Sequence, residues 1–223
     1  MSSFRHSFDI IGPVMIGPSS SHTAGAARLG RSARGIFGEQ PARAEITLYG
    51  SFAKTYKGHG TDVALVAGLL DFETHDPRIP RSLHIAAAAG MEVVFIMGKP
   101  NADLHPNTVR IKLTKGERAL EMMGCSIGGG AIEILEINQF TVKITAAYPT
   151  LVIPHTDQFG VVAAVTAILS TYRLNISAME VARRGRGRDA LMVIGTDERP
   201  SPDAVAEIKA LEAVQDVAII NPS

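Results

Sequence analysis

GPSSSHTAGAARLGRSARGIFG, residues 17–38, opens with a glycine–proline turn, three serines and a histidine, then continues as an alanine-rich helix. Ala26, Leu29, Ala33, Ile36 and Phe37 recur in steps of three and four, which makes one buried stripe. Gly38 is the expected stop. His22 and the serines thus fall at a helix start, where backbone N–H groups without intrahelical partners collect. The small run Ala24, Gly25, Ala26, Ala27 lets another backbone or a ligand come close. Arg28, Arg31 and Arg34 recur every third residue and read as a solvated face that can meet an anion.

Downstream, Ala44, Ile46 and Leu48 alternate with Glu45, Thr47 and Tyr49, a strand pattern. Gly50 and Ser51 turn the chain into a short helical segment carrying Phe52 and Tyr56. A helix over 61–70 follows, with Thr61 as its cap and Asp62 in its first turn. A helix near 81–89 precedes a strand near 91–97 that sets Val93, Phe95 and Met97 on one face. After the turn-rich KPNADLHPNT comes a strand through Val109, Ile111 and Leu113. Residues 118–145 read as antiparallel sheet: a strand at 118–124, the segment GCSIGGG at 124–130, then strands near 131–137 and 140–146.

A domain boundary is expected between 147 and 148. The tail reads as a strand at 150–154, a helix at 158–170, strands at 174–183 and 188–195, a helix at 203–211 and a strand at 214–220. This βαββαβ order is ferredoxin-like. Ser201 and Pro202 suit a helix start. RRGRGRD at 183–189 fits a solvated hairpin tip. The expected fold class is α+β: a mixed α/β domain over 1–147 and a ferredoxin-like domain over 148–223.

Lys plus Arg and Asp plus Glu balance at 22 each, so no strong field favours nucleic acid. One cysteine, Cys125, makes no internal disulfide and no multi-cysteine metal centre. The start MSSFRHSFDIIGP lacks a leader's apolar run, and the greasiest stretches are too short to span a bilayer. A soluble, cytoplasmic protein binding neither nucleic acid nor membrane is the expectation.

Two histidines stand out for chemistry. The dipole at a helix start disfavours a charged His22, and the neutral ring can accept a proton, hydrogen-bond a ligand, or simply cap and pack. His59 lies between Gly58 and Gly60 in KGHGTD, a loop with open backbone access. His105 and Asn107 in LHPNT suit a turn or a carboxylate contact, and His84 reads as packing. His6 and His75 attract no assignment. Adjacent serine and histidine on one turn do not make a nucleophile–base–orienter array. No strand–GxGxxG–helix signature points to a nicotinamide enzyme.

The order GPSSSHT, GSFAKTYKGHGTD, LHPNT, SIGGG and then a ferredoxin-like tail resembles the beta subunit of iron–sulfur-dependent L-serine dehydratase over essentially the full length. The tail resembles an ACT domain through IPHTDQFGVVAAVTAIL, NISAMEVAR and ALMVIGTD. The first domain is similar to the allosteric substrate-binding domain of some phosphoglycerate dehydrogenases. The resemblance implies dehydration and deamination of L-serine to pyruvate and ammonia. It implies a [4Fe–4S] cluster with three cysteine ligands and one open iron acting as a Lewis acid, carried by an alpha subunit and not by this chain. His22 and His59 would be catalytic. Ser20, Ser21, Thr23 and Thr61 would bind substrate, and His155, Asp157 and Gly160 would face a regulatory ligand. Self-association through the ACT domain is implied. A non-catalytic, amino-acid-binding regulatory protein stays open as the alternative.

Overall fold

The structure, a computed structural model, describes residues 14–222. The expectations for a leader and for His6 fall on residues 1–13, outside the described residues. The chain divides into two compact units that meet in sequence between Gln139 and Phe140.

In the first unit, a π-helical turn, Ser20–Ala24, leads directly into α1 (Gly25–Phe37). Leu29, Ala33, Ile36 and Phe37 are buried as the periodicity requires, and Gly38 ends the helix in the left-handed region (φ 83°). The remaining elements are β1 (Arg43–Leu48), α2 (Gly50–Thr55), α3 (Thr61–Leu69), α4 (Ser82–Ala88), β2 (Glu92–Met97), β3 (Thr108–Lys115), β4 (Arg118–Gly128) and β5 (Ala131–Ile137). The strands are ordered β2-β1-β3-β4-β5. β1 and β2 run parallel, joined through α2, α3 and α4, and the other neighbours are antiparallel.

α1 packs against α3 and β4. The α1–α3 crossing depends on two glycines. A Cβ on Gly30 would lie 2.2 Å from the Leu65 carbonyl oxygen, and one on Gly68 would lie 2.1 Å from the Ala27 carbonyl oxygen. Real Cβ atoms do not approach backbone this closely, so the helices meet with no side chain between them at these points.

Several sequence expectations shift. β4 does not stop at Gly124: Cys125 and Ser126 stay paired with Glu133 and Ile132, and Ser126 N–H donates to the Asn107 carbonyl (3.0 Å). The turn is confined to Gly128, Gly129 and Gly130, all at positive φ (103°, 61°, 82°). The arginine stripe is half-buried, and the anions that Arg31 meets come from the chain itself. Arg28 donates to the Gly130 carbonyl (2.8 Å), and Arg31 pairs with Asp71 (2.9 Å) and Glu73 (2.7 Å). Met97, at the end of β2, is exposed.

The second unit begins with β6 (Phe140–Ile144). It continues with β7 (Thr150–Thr156), α5 (Val161–Thr171), β8 (Ile176–Arg183), β9 (Asp189–Thr196), α6 (Pro202–Lys209) and β10 (Ala218–Ile220). The four-stranded antiparallel sheet has the order β10-β7-β9-β8, the ferredoxin-like arrangement. Leu151, Ile153, Val165, Leu169, Met192, Ile194 and Ile208 form its core. Ser201 caps α6 by accepting from the Ala204 N–H (3.2 Å), with Pro202 in the first turn. The last strand is shorter than its apolar run, since Val214 makes only an isolated bridge to His155.

Candidate active site

The π-turn decides where His22 points. Ser19, in extended backbone, accepts the His22 N–H on its side-chain oxygen (3.2 Å), and the Gly25 N–H reaches back to the Ser20 carbonyl. π-turns inside helices concentrate at functional sites. This one carries His22 into the first unit, leaving it 9% exposed.

Both ring nitrogens of His22 meet hydroxyls. Nδ1 lies 3.0 Å from Ser21 Oγ and 3.4 Å from Ser19 Oγ, and those two oxygens are 3.3 Å apart. Nε2 lies 3.0 Å from Ser51 Oγ. Phe52 meets the ring edge-on at 5.3 Å between centroids. His59 does the same from another side, at 4.8 Å and 83°. Burial, and secondarily the nearby His59, lower the His22 pKa from the ordinary histidine range. The neutral ring anticipated from the helix start is therefore favoured by burial and by the nearby His59 as well.

His59 is exposed on the loop between α2 and α3. Its carbonyl accepts from the Thr23 hydroxyl (3.2 Å), which ties the GHGT loop to the π-turn. Of the expected substrate-binding residues, Ser20 and Ser21 are half-buried beside His22. Thr23 is almost wholly enclosed, its hydroxyl engaged by His59. Thr61 does not cap α3. Gly60 does, at φ 68°, because the chain leaves the preceding loop in the left-handed region, and Thr61 becomes the first helical residue. The Thr61 side-chain oxygen is buried without a hydrogen-bond partner. Asp62 accepts the Val63 N–H (2.8 Å) in the first turn, as an acidic residue there should.

Ser51 is a site residue that sequence reasoning misses: locally it is only part of a turn, and its pairing with a ring far back in sequence leaves no periodic signal. Gly50 sits at φ 53°, and a Cβ there would lie 2.6 Å from the Pro106 carbonyl oxygen. That same carbonyl accepts the Ser51 N–H (2.7 Å) and the Phe52 N–H (3.3 Å). LHPNT therefore holds the segment that faces His22. Within LHPNT, His105 Nδ1 accepts the Asn107 N–H (3.2 Å) and the Asn107 amide donates to the Ser126 carbonyl (3.4 Å), both turn-building roles. Ser126 presses against the start of α1: a Cβ on Gly25 would lie 2.1 Å from its Oγ.

In the second unit, His155 lies on β7, 1% exposed, with Nδ1 3.0 Å from the Ile153 carbonyl and Nε2 buried without a partner. Asp157 pairs with Arg183 (3.1 Å), and Gly160 caps α5 at φ 88°. Of the three, His155 is buried, Asp157 is half-buried and Gly160 is exposed.

The chain's own residues do not fit an iron–sulfur cluster. Cys125 is enclosed within β4, its thiol pKa pushed up by burial and then by Glu133. Among the described residues, no group of three or more His, Cys, Asp or Glu side chains is placed to hold a metal ion. No described helix is long and apolar enough to cross a membrane.

Comparison with known proteins adds the family. Residues 7–89 match the family model described as serine dehydratase beta chain, and residues 150–213 match the ACT domain. The chain is 47% identical over 217 residues to the probable L-serine dehydratase beta chain of Bacillus subtilis, covering 97% of this chain and 98% of that one. It is 39% identical over 178 residues to the L-serine dehydratase beta chain of Peptoniphilus asaccharolyticus, covering 79% and 80%. A more distant likeness, 23% over 134 residues, links it to D-3-phosphoglycerate dehydrogenase of Methanocaldococcus jannaschii, covering 60% of this chain and 25% of that enzyme. With near-complete coverage at this identity, and with the ACT match at the C-terminal end, the chain belongs to the L-serine dehydratase beta-chain family.

Proposed function

We propose that this chain is the beta subunit of L-serine dehydratase and works with an alpha subunit in the cytoplasm to convert L-serine to pyruvate and ammonia. The observation that carries the reading is the His22 ring, held between hydroxyls and faced by His59, in a chain so similar to a named beta chain. A [4Fe–4S] cluster, which this chain's residues do not fit, would belong to the alpha subunit.

The overall chemistry removes the α-proton and the β-hydroxyl of serine as water. The resulting aminoacrylate becomes an imine that takes up water and releases ammonia. This chain's part is one wall of the site. Ser20 and Ser21 would hold the substrate carboxylate near the start of α1, where N–H groups favour an anion. Thr23 and Thr61 would support that wall from beneath it, Thr23 by fixing the His59 loop. His59, exposed beside a neutral His22, would exchange a proton with the bound ligand. The first unit would share the architecture of the substrate-binding domain of phosphoglycerate dehydrogenases. The ACT unit, over residues 148–223, would self-associate, with His155, Asp157 and Gly160 near a regulatory ligand.

The test is coexpression with the alpha subunit, anaerobic cluster reconstitution and a serine-to-pyruvate assay. Pyruvate production is expected, falling by at least about 100-fold in His22→Ala and His59→Ala while the subunits still coelute. A complex with an intact cluster and no pyruvate would sink the reading.

A further inference from the structure

We infer that Ser51 is a substrate-contacting residue whose hydroxyl hydrogen is turned toward the ligand by a one-way chain of hydrogen bonds running through Ser19, Ser21 and the His22 ring. The inference deepens the proposed function and rests on that reading for the identity of the ligand.

The chain of bonds starts at a group that can only donate. The His22 backbone N–H donates to Ser19 Oγ (3.2 Å). The Ser19 hydrogen is then free for Ser21 Oγ (3.3 Å), and the Ser21 hydrogen for His22 Nδ1 (3.0 Å). With Nδ1 accepting, a neutral ring carries its hydrogen on Nε2, which donates to Ser51 Oγ (3.0 Å). Ser51 then keeps its own hydrogen for a further acceptor. It is half-buried, so a ligand can reach it. A carboxylate or hydroxyl oxygen of a small amino acid is such an acceptor.

The opposite direction would have Ser51 donating to Nε2 and Nδ1–H donating to Ser21. Two physical facts disfavour it. Nδ1 sits at the opening turn of a helix, beside backbone N–H groups whose partial positive charge favours a lone pair there over another N–H. The Nε2–H form is also the tautomer that a histidine ring prefers by itself. The scaffold fits the same purpose. Ser51 is held by its N–H on the Pro106 carbonyl (2.7 Å), under a Gly50 that has no room for a side chain. Its hydroxyl is thus delivered to His22 by backbone, with LHPNT as the clamp.

The first experiment uses the full chain alone, labelled with 15N at histidine. A two-bond proton–nitrogen correlation spectrum at neutral pH is expected to show His22 with Nδ1 unprotonated and Nε2 protonated. The signals are assigned by their loss in His22→Gln. The reverse pattern overturns the inference whether or not the chain supports serine dehydration. The second uses the complex with the alpha subunit. Ser51→Ala is expected to raise KM for serine about three- to ten-fold, the scale of one lost hydrogen bond, and Ser51→Thr to restore most of it. An unchanged KM in Ser51→Ala, with wild-type kcat, also overturns it. Absence of pyruvate from the wild-type complex counts against the proposed function and leaves the tautomer measurement to decide the direction of the chain.

Discussion

His22 and His59 meet edge to face, ring centroids 4.8 Å apart at 83°, one ring enclosed and the other exposed. A proton on the enclosed ring must do without water and sit beside a neighbour that can also be charged. Both effects lower the His22 pKa, burial more than His59. An NMR titration of the full chain should place the His22 midpoint below that of an exposed histidine. His59→Ala should move it up part of the way, because Ser19, Ser21, Ser51 and Phe52 still enclose the ring. An unmoved midpoint would show that His59 exerts no charge effect.

The same shift has a stability consequence with a definite sign. In the unfolded chain His22 titrates near the ordinary histidine value, about 6.5. Below that pH the unfolded state binds the proton more readily than the folded one, so stability falls as pH drops toward the folded pKa. Above it both states are neutral and the contribution is complete. Denaturant midpoints measured from pH 8 down to pH 5 should decline less in His22→Gln than in the wild type.

Gly30 and Gly68 should be intolerant of a methyl group. Each faces backbone at 2.2 or 2.1 Å from a built Cβ, so Gly30→Ala or Gly68→Ala must force α1 and α3 apart. The expected loss is about 1–3 kcal/mol per substitution, read from urea unfolding. A stabilised Gly30→Ala variant, as helix propensity alone would favour, would contradict the packing described.

Gly25 and Ser126 should be energetically coupled. Gly25→Ala collides with the Ser126 side chain, 2.1 Å from Oγ and 2.7 Å from Cβ. Adding Ser126→Gly should recover a large part of the loss, with a coupling of about 0.5–3 kcal/mol in the double-mutant cycle. Additive effects would mean that the two do not compete for the same space.

Cys125 should be a slow thiol. It is buried, and burial and then Glu133 push its pKa up, so little thiolate is available at neutral pH. A disulfide reagent should label it slowly in the folded chain and rapidly in denaturant. Rapid labelling of the folded chain would place β4 in an open state.

Much of this fold is legible because its signals are local. The stripe ending at Phe37, the stop at Gly38 and the cap at Ser201 each follow from a few adjacent residues, and the structure shows each of them. The histidine segments were legible as chemistry, since His22 among hydroxyls and His59 between glycines stand out within a few residues. Their meeting, and the role of Ser51, were not. Ser51 reaches His22 only because the Pro106 carbonyl holds the start of α2, a contact that no periodicity records. Thr61 misled for a related reason. Capping preference names the residue type, whereas the left-handed backbone at Gly60 decided the position. Arg31 looked like a solvated cation until Asp71 and Glu73, supplied by the loop after α3, came beside it.

The turn from Ser20 to Ala24 uses one residue more than an ordinary helical turn would. An α-helix advances about 100° per residue, so losing one position from this run would relax it into regular helix and swing His22 through roughly that angle. The ring would then leave Ser51 and His59 together, and with Ala24 as the position lost every side chain named in the site would still be present. The number of residues between Pro18 and Gly25 is therefore itself a functional parameter of this chain: the serine run works as a spacer as well as a set of hydroxyls.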